Sequence, residues 1–204
     1  MLDNITTSNL DSSSKKKQDY AINIINDLKK IKEEGNSLYK NNKIEEATNI
    51  FLKGYNLFQK EINDINNDIP EDITNDLFKI YKKILSKLSK CYFKKEKYND
   101  AITYDLKIIE LEPKFYKSLA RLFYSYSKLN KCQQAIFYGE IILDLNVDMK
   151  NKFVDIKKNV KEEKMKLSKI QQKSFIKNII IFLGSVSIVF LAVFSSFYIK
   201  NNYY

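Results

Sequence analysis

Three segments of this chain repeat one another, and the interval between them is the tightest constraint on its fold. "KIEEATNIF" at 43–51, "KYNDAITYDLKIIELEP" at 97–113 and "KCQQAIFYGEIILDL" at 131–145 align on Ala47, Ala101 and Ala135. The last two alanines lie 135 − 101 = 34 residues apart, and the first two 101 − 47 = 54, which is 34 plus an insertion of 20. A period of 34 residues is one helix–turn–helix unit, which cannot bury its apolar face alone and must stack on its neighbours. The expected fold is therefore an all-α solenoid of three helix pairs.

Apolar spacing upstream of each alanine supports that assignment. Ile31 and Leu38, then Leu85, Leu88 and Tyr92, then Leu119, Leu122 and Tyr126 recur at helical intervals and read as core. Each alanine sits where the two helices of a repeat approach closely. Gly35 and Ser89 should serve the same purpose on the partner helix, while Phe123 departs from it in the third repeat. Glycine inside a helix costs about 1 kcal/mol relative to alanine. Gly35-Asn36 in a charged helix thus calls for a close neighbour at the glycine and a binding role for the asparagine.

The insertion "EINDINNDIPEDITNDLF" at 61–78 is expected to lengthen the flanking helices around a loop holding Pro70, with Asp72 or Thr74 as N-cap. After the third repeat, Phe153, Ile156, Val160 and Met165 mark a helix that caps the last apolar face. The chain divides into a polar, disordered lead at 1–17, repeats at 18–148, a capping and juxtamembrane segment at 149–178, an apolar segment at 179–199 and a short luminal or intermembrane tail at 200–204.

Composition narrows the chemistry. Only 4 glycines and 2 prolines in 204 residues argue against a turn-rich β architecture. With no histidine, and with Cys91 and Cys132 far apart, there is no metal site, no catalytic constellation and no sign of a cofactor or small-molecule substrate. Cys91, in an apolar-periodic helix, reads as a buried structural thiol. A net charge of +10 points to an anionic partner. Lysines interleave with Asp and Glu along the chain, which disfavours nucleic acid and leaves an acidic peptide or a membrane surface.

The segment "IIIFLGSVSIVFLAVFSSFYI" at 179–199 is uncharged, and a helix of that length spans roughly 30 Å, the hydrocarbon thickness of a bilayer. With Lys173 and Lys177 on one flank and Lys200 on the other, it is expected to be a transmembrane tail anchor. The expected location is an organelle membrane, mitochondrial outer or endoplasmic reticulum, with the repeats in the cytosol.

The segments "KEEGNSLYK", "LSKCYFKKEKYNDAI" and "KFYKSLARLFYSYSKL" make residues 20 to 170 resemble tetratricopeptide co-chaperone domains of the carboxylate-clamp type, as in immunophilin-like adaptors. The resemblance implies a non-enzymatic adaptor that grips the Glu-Glu-Val-Asp tails of the seventy- and ninety-kilodalton heat-shock chaperones. It implies a peptide-carboxylate site at Lys32, Asn36, Lys87, Lys117 and Arg121, with lysine at 87 where the family has asparagine. Lys29, Lys40, Lys83, Lys90, Lys94 and Lys128 would form a secondary basic groove. The alternative is a chaperone-independent scaffold or fission-type adaptor that binds another acidic peptide.

Overall fold

The computed structural model describes the backbone of residues 3–65, 69–145 and 150–203, and side chains within 15–63, 69–145 and 155–181. All regular structure among the described residues is helical: α1 (Asp3–Lys40), α2 (Ile44–Ile65), α3 (Glu71–Lys94), α4 (Tyr98–Leu111), α5 (Tyr116–Lys128), α6 (Cys132–Asp144) and α7 (Lys150–Tyr203). Helix α1 packs on α2, α3 on α4 and α5 on α6, and each pair stacks on the next. Helix α3 also neighbours both α1 and α5, so the three first helices share one face of the stack.

Each pair turns over in three residues, and all three turns are built alike. Asn42, Glu96 and Asn130 take left-handed backbone conformations, with φ of 61°, 58° and 56°. The following amide reaches back to the last turn of the helix: Lys43 N to Leu38 O at 3.0 Å, Lys97 N to Tyr92 O at 3.0 Å and Lys131 N to Tyr126 O at 2.9 Å. These are Schellman closures, which satisfy helix-end carbonyls that would otherwise lack partners. Asparagine tolerates this conformation, whereas glutamate adopts it against its Cβ.

Ala47, Ala101 and Ala135 are fully buried, as a close helix–helix approach requires. A second contact lies between residues 16 apart in each pair: Gly35 with Phe51, Ser89 with Asp105, and Phe123 with Gly139. A Cβ on Gly35 would stand 2.5 and 2.6 Å from ring atoms of Phe51, so a side chain, rather than a second backbone, demands the glycine. In the third repeat the large and small residues exchange helices, with the Phe123 ring lying against Gly139. Phe123 is therefore no irregularity, because the pair still holds one ring and one glycine.

The 20-residue insertion lengthens α2 and α3 to 22 and 24 residues, against 13 or 14 for α4, α5 and α6. Ile24, Ile25 and Leu28 of α1 fill the added layer with Leu77, Ile80 and the stacked rings of Phe58 and Tyr81, 3.6 Å apart. At the far end, Ile156 and Val160 of α7 close the core of the third pair. Buried side chains of this size contribute roughly 1.5–3 kcal/mol each. Cys91 and Cys132 are both buried and free.

Several expectations are corrected. Helix α1 starts at Asp3, so the lead is helical from residue 3 although its Asn, Thr, Ser and Asp residues are poor helix formers. Pro70, not Asp72 or Thr74, precedes α3, and Thr74 Oγ1 donates to the Pro70 carbonyl from within the first turn. Met165 is half exposed, on the side of α7 opposite the face that carries Ile156, Val160 and the buried Glu163. Phe153 lies outside the described side chains.

The expected membrane location is also overturned: among the described residues no helix is long and apolar enough to cross a membrane. Described side chains of α7 carry charge on every turn from Asp155 to Lys177, and from Ser168 to Ile181 all are exposed. Of the expected span only the side chains of Ile179, Ile180 and Ile181 are described; those of 182–199 lie outside the described residues.

Replacing Glu96 by glycine relieves its left-handed backbone. Urea denaturation should show a gain of about 0.5–1 kcal/mol in stability, whereas Glu96→Val should lower it.

Candidate functional site

The repeat register puts like residues in columns across α1, α3 and α5. Steps of 54 and then 34 residues connect Lys29, Lys83 and Lys117, and likewise Lys40, Lys94 and Lys128. The same steps connect Glu33, Lys87 and Arg121, and Asn36, Lys90 and Tyr124. Equivalent positions on stacked helices share a face. The basic lining is thus a property of the repeat, not a scatter of surface lysines.

Three clefts lie along this face. The first, about 200 Å³, holds Lys29, Lys32 and Lys83 together with Glu33 and Asp76. A second, about 470 Å³, lies between α1 and α3 and holds Asn36, Lys40, Lys87, Lys90 and Lys94. The third, about 540 Å³, lies between α3, α5 and α7 and joins Lys87, Lys90, Lys117 and Arg121 to an apolar wall of Phe93, Tyr116, Ala120 and Ile156. Lys87 and Lys90 line both larger clefts, which makes them one continuous groove. Lys128 lines none of the three clefts.

Burial depresses the Lys87 ammonium below the usual lysine range, and repulsion from Lys90, Lys117 and Lys40 adds to the effect. Asn36 Oδ1 is shielded from solvent and accepts no hydrogen bond. A crowded cation and an unsatisfied amide are each costly in isolation, and an anionic, hydrogen-bonding group would relieve both.

Arg121 is engaged differently from what the sequence implies. Its Nη2 donates to Asp105 Oδ1 at 2.6 Å and its Nε to Asp105 Oδ2 at 3.0 Å, a bidentate pair across α5 and α4. Ser89 Oγ donates to Asp105 Oδ2 at 2.6 Å, and Arg121 Nη2 also donates to Ser86 Oγ at 3.2 Å. Asp105 is fully buried. Burial pushes its carboxyl upward, and the Arg121 guanidinium and the Ser89 and Ser118 hydroxyls pull it back. Arg121 therefore borders the groove while serving as a strut between the second and third repeats.

The structure brings Lys87, Lys117 and Arg121 together in one cleft and Asn36 with Lys87 in another; Lys32, paired with Glu33 at 3.7 Å, stands in the adjoining cleft. Sequence reasoning missed Lys79, Tyr39, Phe93, Tyr116 and Tyr124. Lys79 was discoverable, being four residues before Lys83 on the same helical face. The aromatic residues carry no such signal, because the same helical spacing serves core rings.

Helix pairs of 34-residue period, stacked with a shared first-helix face, define the tetratricopeptide-repeat fold. Among solved structures the chain is similar to the C-terminal TPR-containing domain of a Plasmodium falciparum FK506-binding protein, at 22% identity over 74% of this chain and 95% of that one, with a TM-score of 0.64. It is also similar to the first TPR of Spaghetti (RPAP3) bound to the HSP90 peptide SRMEEVD, at 19% identity over 70% of this chain and 94% of that one, with a TM-score of 0.53. These likenesses establish the fold. No protein-family profile matches the sequence, and no curated protein does.

Arg121→Ala leaves Asp105 charged and unpaired in the core, which should cost roughly 3–5 kcal/mol in urea denaturation. Asp105→Leu combined with Arg121→Met should recover most of that loss, because both charges then leave together.

Proposed function

We propose that the groove across α1, α3 and α5 binds an acidic, C-terminal peptide, and that the chain is an adaptor for the tails of heat-shock chaperones. The observation that carries this reading is the continuity of the two larger clefts through Lys87 and Lys90, with Asn36 Oδ1 unsatisfied beside them. Lys32, Lys87 and Lys117 supply ammonium donors to carboxylates. The Asn36 amide donates through Nδ2 to a terminal carboxylate and accepts a backbone N–H at Oδ1. Arg121 positions the wall of the site through Asp105, and its role toward the peptide is secondary to that.

The RPAP3 domain, which has the same fold, is bound to an HSP90 peptide that ends in Glu-Glu-Val-Asp, the chemistry this groove would accept. Tails of the seventy-kilodalton chaperones end in the same four residues and belong to the same proposal. Each charge-assisted hydrogen bond contributes roughly 1.5–3 kcal/mol before ordering costs. A micromolar dissociation constant, about −8 kcal/mol, is the expected outcome.

Lys87 favours a second reading, an adaptor for a more acidic peptide of another protein. Lysine is a mobile point charge where the related clamps place a fixed amide, and it crowds against Lys90 and Lys117.

Calorimetric titration of the full-length chain with a peptide ending Met-Glu-Glu-Val-Asp, beside its C-terminal amide, tests the proposal. Micromolar binding abolished by amidation and weakened at least tenfold by Lys117→Ala is expected. No binding of either form sinks the chaperone reading and leaves the other acidic partner.

A bound carboxylate favours the Lys87 ammonium and raises its depressed pKa, so binding takes up protons where free Lys87 is partly neutral. Affinity should fall as pH rises through the free Lys87 pKa, and more steeply than in Lys87→Asn. Titrations across the alkaline range should reveal the difference.

A further inference from the structure

The cleft between α1 and α3 differs from its neighbours in what lines it. Glu33 and Asp76 border the first cleft and Asp155 the third, whereas Lys40, Lys87, Lys90 and Lys94 meet around about 470 Å³ with no acidic residue among the lining. None of these four lysines makes an ion pair among the described residues. Two of them are held in place: Lys90 Nζ stands 4.5 Å from the centroid of the Tyr39 ring and Lys94 Nζ 5.4 Å from it. Lys94 Nζ also donates to Asn42 Oδ1 at 2.7 Å. Ammonium groups fixed before a ligand arrives lose less freedom on binding.

The shielded Asn36 Oδ1 lines the same cleft without a partner. A fully ionised anion offers only acceptors and cannot satisfy it. A peptide does, since its backbone N–H lies within reach of its own negative side chain.

We propose that this cleft is a phosphoryl subsite, in which a phosphoserine or phosphothreonine of the docked peptide lies among Lys40, Lys87, Lys90 and Lys94. The proposal rests on the peptide-groove reading and adds the chemical class of the ligand. A carboxylate brings one charge and two oxygens, whereas a phosphomonoester brings about −1.5 to −2 and three strong acceptors. Four converging ammonium groups need more than one negative charge to balance them. No arginine lines the cleft; its lysines would hold a phosphoryl group as point charges.

Fluorescence anisotropy with the full-length chain tests it. The probes are labelled peptides ending Met-Glu-Glu-Val-Asp in which serine replaces each residue before the terminal aspartate in turn, with and without phosphate. At one position the phosphopeptide should bind at least tenfold tighter than its serine counterpart, with a glutamate peptide in between. Lys90→Gln combined with Lys94→Gln should reduce that advantage to less than twofold, with the fold confirmed by circular dichroism. Serine and phosphoserine peptides that bind equally at every position would overturn the subsite and leave the groove reading standing. Failure of all peptides in both forms would overturn both. Displacement by inorganic phosphate at the phosphopeptide's own affinity would mean that the cleft takes a free anion, and would also overturn the proposal.

Discussion

Everything on the shared face of α1, α3 and α5 depends on how the two helices of each repeat cross. The crossing is set at Ala47, Ala101 and Ala135 and at the residue pairs 16 apart, where Gly35 meets Phe51, Ser89 meets Asp105 and Gly139 meets Phe123. In the outer repeats the crossing is apolar and indifferent to which helix carries the ring. In the middle repeat it is polar, and that single difference reaches into the groove. Asp105 needs a counter-charge in the core, and Arg121 of the next repeat supplies it. Two of the three repeats are thereby joined by a contact with directional geometry as well as by apolar stacking.

This arrangement separates two tasks that a sequence motif conflates. Lys117 and Arg121 are four residues apart on one helix, yet Lys117 is exposed while Arg121 is committed to Asp105. Lys87, one repeat before Arg121 in register, has no such carboxylate and is left crowded by Lys90 and Lys117. The middle of the groove is therefore its least satisfied part.

The architecture was legible because it is periodic. The 34-residue interval, the extra 20 residues and their placement in longer α2 and α3 follow from three alanines and an Asn/Asp-rich stretch. Asn36, Lys87 and Lys117 line clefts along the shared face for the same reason. What failed to show in the sequence was compensation across space. Phe123 looked out of place because its glycine lies on the other helix, and Ser89 looked merely small because Asp105 and Arg121 lie 16 and 32 residues away. The apolar wall of the third cleft borrows Ile156 from α7, which no pattern within a repeat could foretell. Of the expected membrane span only three isoleucines have described side chains, and among the described residues no helix is long and apolar enough to cross.

The lysine columns have a cost that falls on the free protein. Like charges repeated at the same register on α1, α3 and α5 repel across the shared face, so the empty groove stores electrostatic work that opposes compaction of the stack. A polyanionic peptide of the kind proposed would discharge it, binding the folded state and stabilising it by mass action. Under that proposal the partner acts as the counterion of the fold and sets how firmly the three repeats hold together.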